Sequence, residues 1–225
     1  MDGILLVDKP PGWTSHDVVA KARSIIKAET GQKVKVGHTG TLDPMATGLL
    51  VIVIGSYTKK AQEFSKLDKI YEAELTLGAT STTGDGEGEI TPKSAQQPSE
   101  QAVTAVLSTF LGEISQTPPQ YSAVKIGGQR AYQAARAGKT VKIEPRKVRI
   151  YEITDVKYEY PKLNFTCKVS SGTYIRSLGE DIGKALGTGA YLSALRRTQA
   201  GRFSIKKALK IDDLSLPVIK NNLQK

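Results

Sequence analysis

The chain has 225 residues, 39% of them apolar and 24% charged, with a formal net charge of +10; this composition supports a packed core and excludes global disorder. No run approaches ~18 consecutive apolar residues, and the N-terminal stretch carries Asp2 and Asp8 without a basic or long apolar region, so neither a spanning helix nor a signal peptide is expected. One cysteine, Cys167, and two histidines, His16 and His38, exclude an internal disulfide framework and a cysteine-based zinc cluster, and fit a reducing, cytoplasmic setting.

Gly3–Val7 reads as a short apolar strand, ended by Lys9-Pro10-Pro11-Gly12 because proline cannot donate to a ladder. Ser15 is expected to cap a helix to about Glu29, with Val18, Val19, Ala22, Ile25 and Ile26 on its buried face. Residues 37–48, GHTGTLDPMATG, read as a loop, and Leu49–Ile54 as a buried strand. Ile70–Leu77 alternates as a strand does, and the turn-rich TSTTGDGEG follows. Ser99 opens a second helix, with Val103, Val106, Leu107, Phe110 and Leu111 at helical spacing.

Beyond Pro118-Pro119 the character changes. Residues 1–119 carry a net charge of −3 and residues 120–225 a net of +13; the stretch 125–149 alone has eight basic side chains against Glu144. Such a one-sided field attracts a polyanion, and nucleic acid is the favoured partner; an anionic membrane would call for a long amphipathic helix that the stretch lacks. A short helix at Arg130–Ala137, paired strands at Val148–Tyr158 and Leu163–Val169, and a helix with Ile175, Leu178, Ile182 and Leu186 on its inner side complete the pattern. Strands and helices mix without a regular βαβ repeat, which predicts an α+β fold.

Few motifs carry chemistry unaided. TTGDGEGE lacks the Gly-Lys-Ser/Thr of a phosphate loop and the ligand spacing of an EF-hand, so it reads as a hairpin turn. No G-x-S-x-G elbow supports a Ser-His-Asp triad. Asp43 before Pro44 is an ordinary helix start, with Asp at the N-cap and Pro at N1. The same aspartate sits among three glycines and the polar His38, Thr39 and Thr41, which suits close approach to a ligand. Arg176 can pair with Glu180 at i+4 on an exposed helix face, and Tyr71 can simply cover one face of a sheet.

Taken together, LLVDKPPGWTSHDVV (5–19), KVGHTGTLDPMATGLLVI (35–52), KIYEAELTLGATSTTGDGEGEI (69–90), QTPPQYSAVKIGGQRAYQAARAG (116–138) and the long block at 170–203 resemble the TruB-type tRNA pseudouridine-55 synthases, in family order over nearly the whole chain. The resemblance implies a pseudouridine-synthase fold: a mixed, mainly antiparallel sheet flanked by helices, with a basic thumb-like insertion at about 116–147. It implies an isomerase, acting without cofactor or metal, that breaks the N1–C1′ bond of a T-loop uridine, turns the base and joins C5 to C1′. Asp43 matches the family's catalytic aspartate, by attack on sugar or base or by proton removal. Tyr71 matches the tyrosine that stacks on the target base, and Arg176 the arginine that pairs with the aspartate. Tyr174 and Leu195 match pocket residues, His38 the histidine that fills the space of the flipped base, and the basic stretch, with Lys125 and Arg130, a set of backbone contacts to RNA.

The implied partner is the T-arm of tRNA, met by a cytoplasmic monomer. Two departures stand out: Ser81-Thr82-Thr83 replaces the family's T-D-T pattern, and the chain ends too soon for the C-terminal PUA module of many members, so residues 1–225 are expected to form a single catalytic domain in a minimal form. The alternative reading is a tRNA-folding chaperone of the same fold; a third is use of the scaffold on another RNA, as in dyskerin-like relatives.

Overall fold

The computed structural model describes residues 1–122 and 124–225, apart from the side chains of Lys125, Arg130, Tyr132 and Arg136. In chain order the elements are β1 (Gly3–Lys9), α1 (Ser15–Thr30), β2 (Val36–His38), β3 (Thr47–Ile54), α2 (Ala61–Ser65), β4 (Lys69–Leu77), β5 (Ala79–Ser81), β6 (Ile90–Pro92), α3 (Glu100–Thr109) and β7 (Gly112–Gln116). There follow β8 (Lys125–Ile126), β9 (Gln129–Arg130), α4 (Ala131–Arg136), β10 (Arg146–Glu159), β11 (Lys162–Val169), α5 (Ile175–Ala185), β12 (Ala190–Ala200), β13 (Phe203–Ser204), β14 (Leu209–Lys210) and α6 (Leu216–Asn221). The chain divides into two compact units, Met1–Glu72 with Leu195–Lys225, and Ala73–Ala194; the divisions fall inside β4 and β12.

The first unit is built on β1 and β3, paired antiparallel with Leu5 opposite Ile52 and Val7 opposite Leu50. Their sequences are continuous apolar runs because both faces are covered. Leu5, Val7, Leu50 and Ile52 face α1 and α6 through Val18, Ala22, Ile26 and Ile219. Ile4, Leu6, Leu49 and Val51 face Phe203, against which Phe64 of α2 packs edge-on with ring centroids 5.9 Å apart. β2 pairs antiparallel and β12 parallel with β3, and β14 pairs parallel with β1. At Gly48 the β3 backbone takes φ +99°, and a Cβ there would lie 2.3 Å from the carbonyl oxygen of Arg197, so the β3–β12 pairing requires glycine.

Helix α1 begins one residue earlier in its logic than the sequence suggests. Thr14, not Ser15, is the N-cap: its hydroxyl accepts from the Asp17 amide while the Asp17 carboxylate accepts from the Thr14 amide. A Thr-x-x-Asp box satisfies two orphan amides at once, and it leaves the Ser15 side chain buried and free for another task. Ile25 is half-buried, at the edge of the face formed by Val18, Val19, Ala22 and Ile26.

In the second unit β10 lies between β11 and β7, antiparallel to both. Alternation is clean, as a sheet with one covered face demands: Leu163, Phe165, Cys167 and Val169 are buried, while Lys162, Asn164, Thr166 and Lys168 are partly exposed. α5 buries Ile175, Leu178 and Ile182, with its C-cap Leu186 also buried, and packs on β4 where a Cβ at Gly179 would lie 2.7 Å from the Leu75 side chain. Gly183 of α5 permits contact closer than any side chain would, since a Cβ there would lie 2.2 Å from the Ala190 amide nitrogen. On the other side Lys162 bridges Glu74 at 2.6 Å, and Ser193 donates to the same carboxylate at 2.7 Å. Ser99 caps α3 as expected, though Leu111 is 47% exposed rather than packed because α3 ends at Thr109. Within the basic segment lie the β8–β9 hairpin and α4, close to the expected Arg130–Ala137 helix.

Candidate active site

In the first unit the segment between β2 and β3 carries Asp43. No helix starts there: Asp43-Pro44 lies in a bend in which the Ala46 amide donates to the Asp43 carbonyl at 3.1 Å, and β3 follows at Thr47. The helix-cap reading of Asp43 is therefore overturned: the chain makes one turn from Asp43 to Ala46 and enters β3 at Thr47. The half-buried Asp43 is followed by a pinned Pro44, whose carbonyl accepts from the Gly12 amide at 2.9 Å and from the Lys9 ammonium at 3.1 Å. Lys9 has 0% exposure and also donates to the carbonyls of Pro10 and Trp13. The double proline thus ends β1 where its lysine can hold the aspartate's loop.

Three further predicted residues belong to this unit. His38, half-buried, ends β2 opposite Ile52. Tyr71 is buried in β4, and Leu195, half-buried in β12, accepts at its carbonyl from the Thr47 hydroxyl at 3.4 Å. Asp8 and Arg196 make a two-point ion pair at 2.8 and 3.2 Å, tying β1 to β12.

The second unit carries Arg176 and Tyr174. Arg176, in the first turn of α5, is 5% exposed, so the exposed-face pairing with Glu180 is not its environment. Its guanidinium donates to the carbonyls of Tyr121 at 2.7 Å and Thr83 at 3.1 Å, and meets the Asp85 carboxylate at 3.3 Å. Asp85 is equally buried; it accepts from the Thr83 hydroxyl at 2.5 Å and from the Glu87 amide at 3.1 Å. Glu180, on the same helix, has its carboxyl pushed above the usual range by burial and by the neighbouring Asp181, against the pull of Arg176. Tyr174 precedes α5 with both backbone polar groups held by the buried Gln116 side chain, at 2.8 and 3.0 Å. Its ring lies under the Arg146 guanidinium, 5.0 Å from the centroid, a cation–π contact.

Asp85 is a partner of Arg176 that sequence reasoning missed. The TTGDGEGE segment does join the β5–β6 hairpin, but it also places a carboxylate against a buried arginine 91 positions later. The sequence carried no local signal for it, because a carboxylate in a glycine-rich turn and an arginine on a helix 91 positions away share no periodicity. The side chains of Lys125 and Arg130 lie outside the described ones; their backbones pair in the β8–β9 hairpin. Among the described residues no group of three or more His, Cys, Asp or Glu is placed to hold a metal ion, and no helix is long and apolar enough to cross a membrane.

Comparison with known proteins agrees with this fold. Over 94% of its length the chain superimposes on a chain of a Cbf5–Nop10–Gar1 complex, with a TM-score of 0.72 and 34% identity. It superimposes similarly on a chain of an H/ACA ribonucleoprotein bound to substrate RNA, with a TM-score of 0.69 and 30% identity. It spans about half the length of those solved chains, 53% and 52%. The α+β fold is that of the pseudouridine synthases, a class of isomerases. Residues 23–175 match the model of the TruB family pseudouridylate synthase N-terminal domain, and residues 176–224 that of the tRNA pseudouridylate synthase B C-terminal domain. The chain belongs to the TruB family. A relative from Cupriavidus metallidurans named tRNA pseudouridine synthase B is 46% identical over 94% of this chain and 67% of its own length. One of the same name from Thermobifida fusca is 45% identical over 95% of this chain and 74% of its own.

Proposed function

We propose that the protein converts the T-loop uridine of tRNA, position 55, to pseudouridine, with Asp43, Tyr71 and Arg176 as catalytic residues. The observation that carries this reading is Asp43 itself: a half-buried carboxylate on a bend whose next residue is pinned by Lys9 and the Gly12 amide, in a TruB-family chain. A carboxylate is ionised at neutral pH and serves as nucleophile or base without prior activation. In the exchange the N1–C1′ bond breaks and the C5–C1′ bond forms; C5 gives up its proton and N1 takes one, so the product is an isomer and no redox partner is consumed.

A uridine stacked inside the folded T-arm must be flipped out before its glycosidic bond can be reached, at a cost of a few kcal/mol. His38 is assigned the vacated space, Tyr71 the face of the flipped base, and Tyr174 and Leu195 the pocket wall. The basic segment at about 116–147, Lys125 and Arg130 included, is assigned to the phosphates of the T-arm. The protein acts in the cytoplasm, as a monomer, without a cofactor.

Unmodified tRNA incubated with the purified protein and mapped position by position should show pseudouridine at one T-loop uridine. Product at another position would reject the substrate assignment. Absence of product with tRNA binding intact would reject the isomerase and favour an RNA-folding role.

A further inference from the structure

Arg197 and Ser15 occupy buried positions that the reaction as described does not use. Arg197, in β12, is 3% exposed and directs its whole guanidinium at main-chain oxygens. Nε donates to Leu49 at 2.7 Å, Nη2 to Gly40 at 3.0 Å and Nη1 to Thr41 at 3.4 Å. Gly40 and Thr41 immediately precede Leu42-Asp43. From the other side Ser15, 3% exposed at the start of α1, accepts from the Leu42 amide at 2.8 Å and donates to the Leu42 carbonyl at 3.0 Å. Three consecutive residues before the aspartate are thus held by two side chains from different elements.

Stability alone is a poor reason for this arrangement. Burying a guanidinium carries a desolvation penalty that a packed apolar side chain avoids. Lys69 of β4 adds to the cost, since its charge and that of Arg197 oppose each other. A planar fork does provide something an apolar side chain cannot: donors at fixed angles to two successive carbonyls. With the β12 backbone locked to Gly48 across the parallel pairing, the fork is anchored at its base as well as its tip.

We propose that Arg197 and Ser15 are positioning residues for the reaction: they clamp residues 40–42 so that the Asp43 carboxylate is held at its working place before substrate arrives. The inference rests on the assignment of Asp43 as the reacting carboxylate. Misplacement of a reacting group by about 1 Å costs on the order of a hundredfold in rate, and backbone anchoring is the means by which a loop-borne group avoids it.

The test is single-turnover conversion of unmodified tRNA by wild type, Arg197→Met, Arg197→Lys and Ser15→Ala, reading rate constant and end-point separately. Binding of the same tRNA is measured with each change placed in an Asp43→Asn background. Arg197→Met should slow the chemical step by about ten- to a hundredfold, with a full end-point and affinity within twofold. Arg197→Lys, retaining the charge and one donor direction, should recover part of the rate, and Ser15→Ala should fall several-fold. A merely structural pair would lower the end-point or melting temperature and leave the rate constant of the folded fraction unchanged. Wild-type rate constants in both Arg197→Lys and Ser15→Ala would overturn the clamp even if Arg197→Met fails to fold. A wild-type protein that forms no pseudouridine would instead remove the functional reading, and the clamp with it.

Discussion

Arg176 and Asp85, 5% and 2% exposed and 3.3 Å apart, form a buried ion pair in the second unit. Removing one member of a buried pair is far costlier than the pair's net worth, because the remaining charge stays desolvated. Asp85→Asn keeps size and the contact with Thr83, yet should destabilise by on the order of 3 kcal/mol, read from urea unfolding, and lower product formation. A change under about 0.5 kcal/mol, the range of an ordinary surface substitution, would show that the guanidinium's remaining partners, the carbonyls of Thr83 and Tyr121 among them, suffice for it. Asp43, Tyr71 and Arg176 were singled out because family motifs surround them. Asp85 was not, since a long-range ion pair leaves no periodicity and its glycine-rich neighbours read as a turn.

Lys69 supplies a pH signature at the same scale. Burial, with the nearby Arg197 adding to it, lowers its pKa from 10.5 to about 8, while the ammonium still donates to the carbonyls of Ser65 and Leu67. Between those two values the unfolded chain holds more protons than the folded one, so this residue's contribution to stability rises as pH rises from about 8 to 10.5. Below pH 8 both states are protonated and the full penalty remains. Lys69→Met should lack this rising component, so the gap between the wild-type and variant stability–pH curves should change across that window. Parallel curves across that window would contradict the assignment.

At the scale of elements, the two-sided apolar runs of β1 and β3 and the alternation in β4 and β11 were readable directly, since burial on two faces or one is written in the residue period. β12 was not: AYLSALRRTQA has two adjacent arginines in a strand that is half-buried along most of its length. Those arginines are accommodated only because Arg196 meets Asp8 and Arg197 meets loop carbonyls, partners far away in sequence. The cap of α1 shifted by one residue for a similar reason, with Thr14 capping so that Ser15 could reach Leu42. The β3–β12 pairing is a sensitive junction. Gly48→Ala would add a Cβ 2.3 Å from the Arg197 carbonyl oxygen at φ +99°, so several kcal/mol should be lost, through backbone strain and a broken register. A melting temperature within a degree of wild type would show that β12 can move away without cost.

For the whole molecule, the α+β class followed from the mixture of elements, whereas the division into two compact units did not. Its boundaries fall within β4 and β12, and a division inside a strand leaves no linker composition to detect. The charge asymmetry was visible at once, and it agrees with an RNA substrate. It could not distinguish binding from chemistry, because phosphate contacts position a nucleic acid whatever happens to its bases. That distinction rests on Asp43. The most direct measurement is single-turnover pseudouridine formation at the T-loop uridine by wild type and Asp43→Asn, alongside binding of the same tRNA. Asparagine preserves the bend and the side-chain volume and deletes only the ionised oxygen. The rate should fall at least about a thousandfold, each factor of ten being ~1.4 kcal/mol of barrier, while affinity and melting temperature stay near wild type. Conversion by Asp43→Asn at close to the wild-type rate would contradict the account.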